Sequence, residues 1–266
     1  MIDVVHESAR NTPVIGEYDV VVVGGGVAGV AAAVAASRNG ASTLLIENHC
    51  VLGGLATEGL IAIYLPICDG RGNQVMGGLA EEMLRLTVQN APAKIPACWT
   101  GTGDIQQRTA ERFLSRFAPQ PYMLALEDFV RQAGAKLAYD TRLCGVDCGE
   151  GKIKAVIVEN KTGRCAIRAR AFIDASGDAD ICVRAGEPTK THSDNTRSSW
   201  FVAYDGQKLD TIKCGDNYVD IKPGAKRYAG DNHEDVTEML LASRQMVMER
   251  IARMRMEQSN DAIYPA

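Results

Sequence analysis

Residues 18–54 decide the fold of this chain and read YDVVVVGGGVAGVAAAVAASRNGASTLLIENHCVLGG. The first six residues form an apolar, β-branched run, which is typical of a buried parallel strand. A glycine-rich turn and an Ala/Val-rich segment with helical spacing follow. The apolar run over 20–36 is shorter than the ~20 residues that a membrane span requires, and glycines interrupt it. The pattern therefore predicts a strand, a tight turn and a buried helix.

The turn carries the spacing Gly24-x-Gly26-x-x-Gly29. Gly24 permits a sharp turn between strand and helix, Gly26 lets a pyrophosphate approach the backbone, and Gly29 lets the helix pack closely on the strand. The free N–H groups and the positive end of the helix dipole then face the phosphates. We expect Ala28, in the first turn of this helix, to share that contact. The motif predicts a dinucleotide site.

A second predicted strand, 42–46, ends in Glu47, which lies twenty-three residues after Gly24. A carboxylate at this place can accept hydrogen bonds from both ribose hydroxyls of an adenosine, and it repels a 2′-phosphate. Asn48 follows directly and is expected to lie at the same site. The spacing predicts a dinucleotide whose ribose carries no 2′-phosphate.

The composition is that of a globular protein, with 46% hydrophobic and 23% charged residues in 266. A net charge of −4 gives no electrostatic reason to expect nucleic acid or an anionic membrane as a partner. No basic segment followed by an apolar one marks a secretory signal at the start, so we expect a cytoplasmic protein. The eight cysteines include no CxxC pair, and no metal site is expected.

The chain divides into three predicted parts: an N-terminal extension over 1–17, a nucleotide-binding domain over 18–186, and a partial substrate or cap region over 187–266. Helices are predicted over 78–89, 108–117 and 124–133, and a strand over 60–67. Four strands over 136–170 form a predicted β-meander, with turn signals at Glu150-Gly151 and Thr162-Gly163. An apolar strand over 171–175 and a short helix ending at Gly186 follow. The last region contains a predicted strand over 199–204 and ends in a long amphipathic helix.

Two segments together, GGGVAG…IENHCVLGG over 24–54 and IDASGDADICVRAG over 173–186, resemble the FAD-dependent oxidoreductases of the glutathione-reductase-like flavoprotein superfamily. A simple NAD dehydrogenase usually continues in alternating strands and helices, whereas here a Gly-Gly loop and a meander intervene. The expected fold class is α/β: a Rossmann-type FAD-binding domain, with a parallel sheet flanked by helices, an inserted β-meander and a poorly defined second subdomain.

The resemblance implies non-covalently bound FAD, because the loop after Gly54 lacks the histidine to which some relatives attach the cofactor. It also implies hydride transfer between a small organic substrate and the flavin. It assigns no catalytic residue. The residues that it implies at the cofactor are Gly24, Gly26 and Gly29 at the pyrophosphate, Glu47 at the ribose, Gly53 and Gly54 along the flavin half, Leu143 near the adenine through its backbone, and Ser176, Gly177 and Asp178 in the second signature.

The main departure from this family lies after Gly186, where no glycine-rich closing strand and flavin-facing helix can be identified. The chain therefore resembles the N-terminal part of a flavoenzyme. An alternative is a truncated or split subunit that binds FAD but is not catalytic alone. A homo-oligomer or a complementary subunit would then supply the missing elements. A small relative such as a thiazole synthase remains a third alternative.

Overall fold

The computed structural model describes residues 4–91, 93–101, 103–197, 200–214 and 224–265. The strands are β1 (Val14–Val23), β2 (Thr43–Ile46), β3 (Ile63–Tyr64), β4 (Ser115–Arg116), β5 (Lys136–Ala138), β6 (Arg142–Gly149), β7 (Lys152–Asn160), β8 (Gly163–Asp174), β9 (Trp200–Tyr204), β10 (Leu209–Lys213) and β11 (Tyr264–Pro265). The α-helices are α1 (Val27–Arg38), α2 (Leu79–Leu86), α3 (Ile105–Ala110), α4 (Pro119–Gln132), α5 (Asp180–Ala185) and α6 (His233–Gln258).

The main sheet has six strands in the order β5-β2-β1-β8-β7-β6. Its first four strands are parallel, with Val22 of β1 aligned with Leu45 of β2 on one side and Ile173 of β8 on the other. Because β1 lies between two parallel neighbours, its last four residues, Val20 to Val23, are all apolar. The predicted α/β class with a parallel sheet flanked by helices is confirmed. β1 begins at Val14, within the predicted extension over 1–17.

Each face of the parallel strands has its own core. One face, which includes Val22 and Leu45, packs with Leu126 and Val130 of α4 and with α1. The other face packs against the antiparallel strands, and its core contains the side chains of Val21, Ile46, Leu143, Val156 and Ile167. The meander strands, which belong to the same sheet, therefore share the core on the face opposite α1 and α4.

Three of the four strands predicted in the meander over 136–170 are present as β6, β7 and β8, which pair antiparallel. The turn between β6 and β7 consists of Glu150 and Gly151, both with positive φ (58° and 71°), as a two-residue hairpin turn requires. Two predictions were wrong. The first predicted meander strand is β5, which pairs parallel with β2 at the far edge of the sheet, and the last meander strand and the returning strand over 171–175 are a single twelve-residue strand, β8. No glycine or proline interrupts it between Gly163 and Asp174, so the backbone stays extended.

Two other local predictions were wrong. The helix predicted over 108–117 ends at Ala110, because Phe113 stacks on Trp99 with ring centroids 4.9 Å apart and the chain then enters β4. The strand predicted over 60–67 is reduced to the two residues of β3. The helix predicted over 124–133 is confirmed as α4. It starts earlier, with Pro119 in its first turn, where a missing N–H costs nothing.

After α5, β9 lies between β10 and β11 in a three-stranded antiparallel sheet. The strand predicted from 199 is β9, and residue 199 lies outside the described residues. The predicted long amphipathic helix is confirmed as α6, which buries Ile251 and Met254. The Asn232 side chain caps it by accepting from the Asp235 N–H at 2.8 Å. Within the described ranges, no helix combines the length and apolarity needed to cross a membrane.

Candidate functional site

The loop after β1 is pressed against the end of β8. Gly24 has φ of +101°, and a Cβ there would lie 2.3 Å from the carbonyl oxygen of Ala175. The Gly24 N–H also donates to the carbonyl of Ile46 at 2.8 Å, which joins the loop to β2. A Cβ on Gly29 would lie 1.8 Å from the Gly24 carbonyl oxygen. Both positions therefore require glycine, as the close packing of strand and helix demands.

Gly26 differs from its neighbours because the space beside it is open. A Cβ on Gly26 would meet no atom within 4 Å. The residue caps α1, whose first residues Val27 and Ala28 are exposed and whose first turn holds no acidic side chain. Free N–H groups at a helix N-terminus attract anions through the helix dipole. The open space at Gly26 thus fits a pyrophosphate.

The second glycine pair lies directly beside the first loop. The Gly53 N–H donates to the Gly25 carbonyl at 2.9 Å, and Gly53 and Gly26 form a parallel bridge. A Cβ on Gly54 would lie 3.1 Å from the Cα of Gly26. The chain therefore forms one glycine-lined wall from Gly26 to Gly54, which lets a ligand approach the backbone closely.

Glu47 is buried, with 7% of its surface exposed, and both of its carboxylate oxygens accept backbone hydrogen bonds. Oε2 accepts from the Gly25 N–H at 2.6 Å, and Oε1 accepts from the His49 N–H at 2.8 Å. Each carboxylate oxygen has room for a second hydrogen bond. Glu47 thus orders the glycine loop and retains capacity for the two hydroxyls of a ribose.

The second signature is ordered by Asp174, which sequence reasoning assigned no role. Its Oδ1 accepts from the N–H of Ser176 at 3.1 Å and from the Ser176 hydroxyl at 2.7 Å. Its Oδ2 accepts from the N–H groups of Ile181 and Cys182 in the first turn of α5. Burial of this carboxyl opposes its ionisation, but these hydrogen bonds outweigh burial and lower the pKa of Asp174. The sequence signal that could have predicted this role is a strand that ends in Asp a few residues before a short helix.

The three predicted residues of this signature have different surroundings. The Ser176 hydroxyl bonds within the loop, donating to Asp174 and accepting from the Asp180 N–H at 2.9 Å. Gly177 has φ of +90° and is exposed. Asp178 is exposed, and partial desolvation of its carboxyl, together with the charge of Asp180, raises its pKa. Gly177 and Asp178 are therefore the members of the signature that remain accessible to a ligand.

A cleft of about 540 Å³ lies at the other end of the site, beyond Glu47. The predicted residue Asn48 lines it, whereas the side chain of Leu143 is buried in the core below the meander. The lining residues are Asn48, His49, Asp140, Arg142, Glu159, Asn160 and Lys161. This lining combines a charged rim with two amide side chains.

A contact between His49 and Glu58, which no pattern in the sequence predicts, connects the two halves of the site. Nδ1 of His49, after β2, lies 3.1 Å from Oε2 of Glu58, which follows the Gly53-Gly54 pair. Both side chains are about half exposed, so the pair is expected to contribute little stability. Its effect is to hold the loop after Gly54 close to the end of β2.

Comparisons with known proteins identify the family of this chain. Residues 19–261 match the family of FAD-dependent oxidoreductases. An uncharacterized protein from the nifH2 5′ region of Methanosarcina barkeri is 32% identical over 178 residues, which cover 63% of this chain and 87% of that protein. The aklavinone 12-hydroxylase of Streptomyces peucetius is 26% identical over 190 residues, which cover 60% of this chain and 36% of the hydroxylase.

Among solved structures, the geranylgeranyl bacteriochlorophyll reductase-like protein of Thermoplasma acidophilum matches 88% of this chain and 62% of its own length. Its TM-score is 0.47 and its identity 14%. The chain spans about a third of the length of the hydroxylase that it matches. The family match extends over nearly the whole chain. The protein therefore belongs to the family of FAD-dependent oxidoreductases, which has FAD as its cofactor and a redox function.

Proposed function

We propose that this chain holds FAD non-covalently and uses it to transfer a hydride to or from a small organic molecule. The observation that carries the proposal is the open glycine-lined wall between Gly26 and Gly54 at the N-terminus of α1. In the proposed arrangement the N–H groups at Val27 and Ala28 receive the pyrophosphate. The carboxylate of Glu47 receives the ribose.

The remaining predicted residues take positions on either side of that wall. Gly53 and Gly54 would lie along the flavin half, where the absence of side chains lets the ring system approach the backbone. Gly177 and Asp178, exposed next to Gly24, would contact the chain between ring and phosphate. Asn48 and the backbone at Leu143 would contact the adenosine. These assignments are proposals supported by the packing of the loops against each other.

When bound, the isoalloxazine supplies the hydride chemistry, and the protein supplies orientation and exclusion of water. The loop over 55–59 contains no histidine for covalent attachment. Thr57 in this loop is buried, and its hydroxyl donates to the Leu52 carbonyl at 2.7 Å. This hydrogen bond fixes the loop that follows the glycine pair, so that Gly54 stays opposite Gly26.

We further propose a place in the glutathione-reductase-like superfamily, supported by the glycine motif and the meander that shares the core on one face of the sheet. The proposed homo-oligomer or complementary subunit is supported by exposed apolar side chains in the loops after Gly54. Leu55, Leu65 and Val75 are 71%, 68% and 62% exposed. Large apolar side chains grouped on a surface are typical of sites that a ligand or a protein covers.

The test is reconstitution of the purified chain with FAD, FMN and NAD in parallel. Removal of free ligand would be followed by a visible spectrum and by mass identification of the released cofactor. We expect retained FAD, a flavin spectrum, and bleaching of that spectrum on anaerobic reduction. Recovery of bound NAD with no flavin would contradict the proposal.

A further inference from the structure

Of the arginine and lysine side chains that line the cleft beyond Glu47, Arg142 forms no ion pair with a described residue, although Glu159 lies opposite it in the register of β6 and β7. The other charged side chains of the cleft have ion-pair partners, whereas Arg142 is exposed. The ion pairs are Asp140 with Lys161 at 3.7 Å and Glu159 with Arg164 at 3.6 Å, and the imidazole of His49 contacts the carboxylate of Glu58 at 3.1 Å. The guanidinium of Arg142 is therefore available to a ligand.

Backbone hydrogen bonds hold Arg142 close to Glu47. The N–H of Thr141, the preceding residue, donates to the Glu47 carbonyl at 3.0 Å. The N–H of Asp140 donates to the His49 carbonyl at 3.1 Å. Arg142 is the first residue of β6, so these two hydrogen bonds hold the start of β6 beside the end of β2. A ligand whose ribose binds Glu47 would place its base next to Arg142.

The chemistry of the cleft suits a neutral, planar, hydrogen-bonding group. A guanidinium is planar and stacks on aromatic faces. Asn48 makes no side-chain hydrogen bond among the described residues, and an amide can pair with both the amino group and a ring nitrogen of adenine. The Asn160 Oδ1 accepts from the N–H and the hydroxyl of Thr162, so its NH₂ group remains free to donate. The carboxylates of Asp140 and Glu159 disfavour a phosphate here.

We propose that the Arg142 guanidinium stacks on the adenine ring of the bound dinucleotide and makes the site selective for FAD over flavins without adenosine. This inference rests on the proposed function, since it takes the ribose to lie at Glu47. It makes Arg142 a specificity-determining residue at the cleft. The planarity of its head group, in addition to its charge, carries the effect.

The test measures affinities of the apoprotein for FAD, FMN and ADP by calorimetry, in wild type, Arg142→Ala and Arg142→Lys. The matched control is Arg131→Ala, an exposed arginine on α4. For Arg142→Ala we expect FAD and ADP to bind about five- to tenfold more weakly, with FMN unchanged. Arg142→Lys keeps the positive charge but lacks the planar guanidinium, so it should show most of the same loss of affinity for FAD and ADP. Circular dichroism would confirm that the exposed substitutions leave the fold intact.

Three results would overturn the inference. Unchanged FAD affinity in Arg142→Ala would show that Arg142 does not contact the adenine. An equal loss of affinity for FMN would show that Arg142 does not make the site selective for FAD. Full affinity in Arg142→Lys would show that a point charge, and so a phosphate, is the partner. In each case the wild type still binds FAD, which leaves the proposed function standing. A wild type that binds none of the three ligands would overturn both.

Discussion

The Gly25 N–H and the Oε2 atom of Glu47 lie 2.6 Å apart, and this hydrogen bond joins the glycine loop to the end of β2. Because the bond is buried, the loop is ordered before any cofactor binds. Under the proposed function, Glu47 would therefore have two separable effects, one on the stability of the apoprotein and one on the binding of the ribose.

Replacing Glu47 by Ala should reveal both effects. Loss of the acceptor leaves the Gly25 N–H unpaired, so we expect the free energy of unfolding to fall by about 1–3 kcal/mol. Loss of charge-assisted hydrogen bonds to the ribose should weaken FAD binding at least about tenfold, with FMN little affected. Glu47→Gln, which keeps one acceptor oxygen, should recover part of the stability. Equal losses for both flavins in Glu47→Gln would show that Glu47 does not contact the ribose.

Gly26→Asp should separate cofactor binding from folding. The added side chain enters open space and can cap α1, so the thermal stability of the apoprotein should stay equal or rise slightly. Its carboxylate would occupy the pyrophosphate position and repel the phosphates, weakening FAD at least about a hundredfold. Gly101→Glu, also at an exposed glycine with room for a side chain, is the control and should leave FAD binding unchanged. Undiminished FAD binding in Gly26→Asp would place the pyrophosphate elsewhere.

Gly24→Ala, unlike Gly26→Asp, should lower the stability of the apoprotein. A methyl group at this position meets the Ala175 carbonyl and requires a φ of +101° that alanine avoids. We expect a loss of about 2 kcal/mol or more in the free energy of unfolding, measured by urea denaturation. Gly26→Ala, two residues away, should cost less than half as much. Similar costs at the two positions would contradict the packing of the loop against β8.

Asp174→Asn should destabilise the protein in a pH-dependent way. The pKa of Asp174 is lowered in the folded state, so its stabilisation is present above the unfolded pKa of about 3.9 and is lost as the pH falls through the folded value. At pH 7 we expect a loss of about 2 kcal/mol, because the amide NH₂ would face one of the two sets of donors, at Ser176 or in the first turn of α5, and could not accept from it. The difference from wild type should shrink below about pH 4. Asp128→Asn on the exposed face of α4 is the control. A difference that stays constant with pH would contradict the ionised state of Asp174.

The sequence predicted those features that depend on residues near one another in the chain. The turn at Gly24–Gly29, the strand that ends before Glu47 and the return at Asp174 all follow from local periodicity and glycine spacing. The loss of helix after Ala110 could not be predicted, because it depends on Phe113 meeting Trp99 across a loop.

The same limit applies to the candidate site. Position in the chain indicated Glu47, Asn48 and Asp178, but not which atoms are already bonded. The hydrogen bond from Ser176 to Asp174 depends on the path of the loop. The guanidinium of Arg142 forms no ion pair because Asp140 pairs with Lys161 and Glu159 pairs with Arg164. Hydrogen-bond partners distant in sequence leave no periodic pattern in a single chain.

The continuity of β8 has a mechanical consequence. Its amino half pairs with β7, and β7 pairs in turn with β6, the strand that contains Arg142. Its carboxyl half pairs with β1 and ends at Asp174. No hinge residue interrupts the strand, which at roughly 3.3 Å a residue is about 40 Å long. We therefore expect the start of the hairpin and the glycine loops to shift together. An opening that admits a ligand is then expected in segments outside this ladder, such as the sheet of β9, β10 and β11.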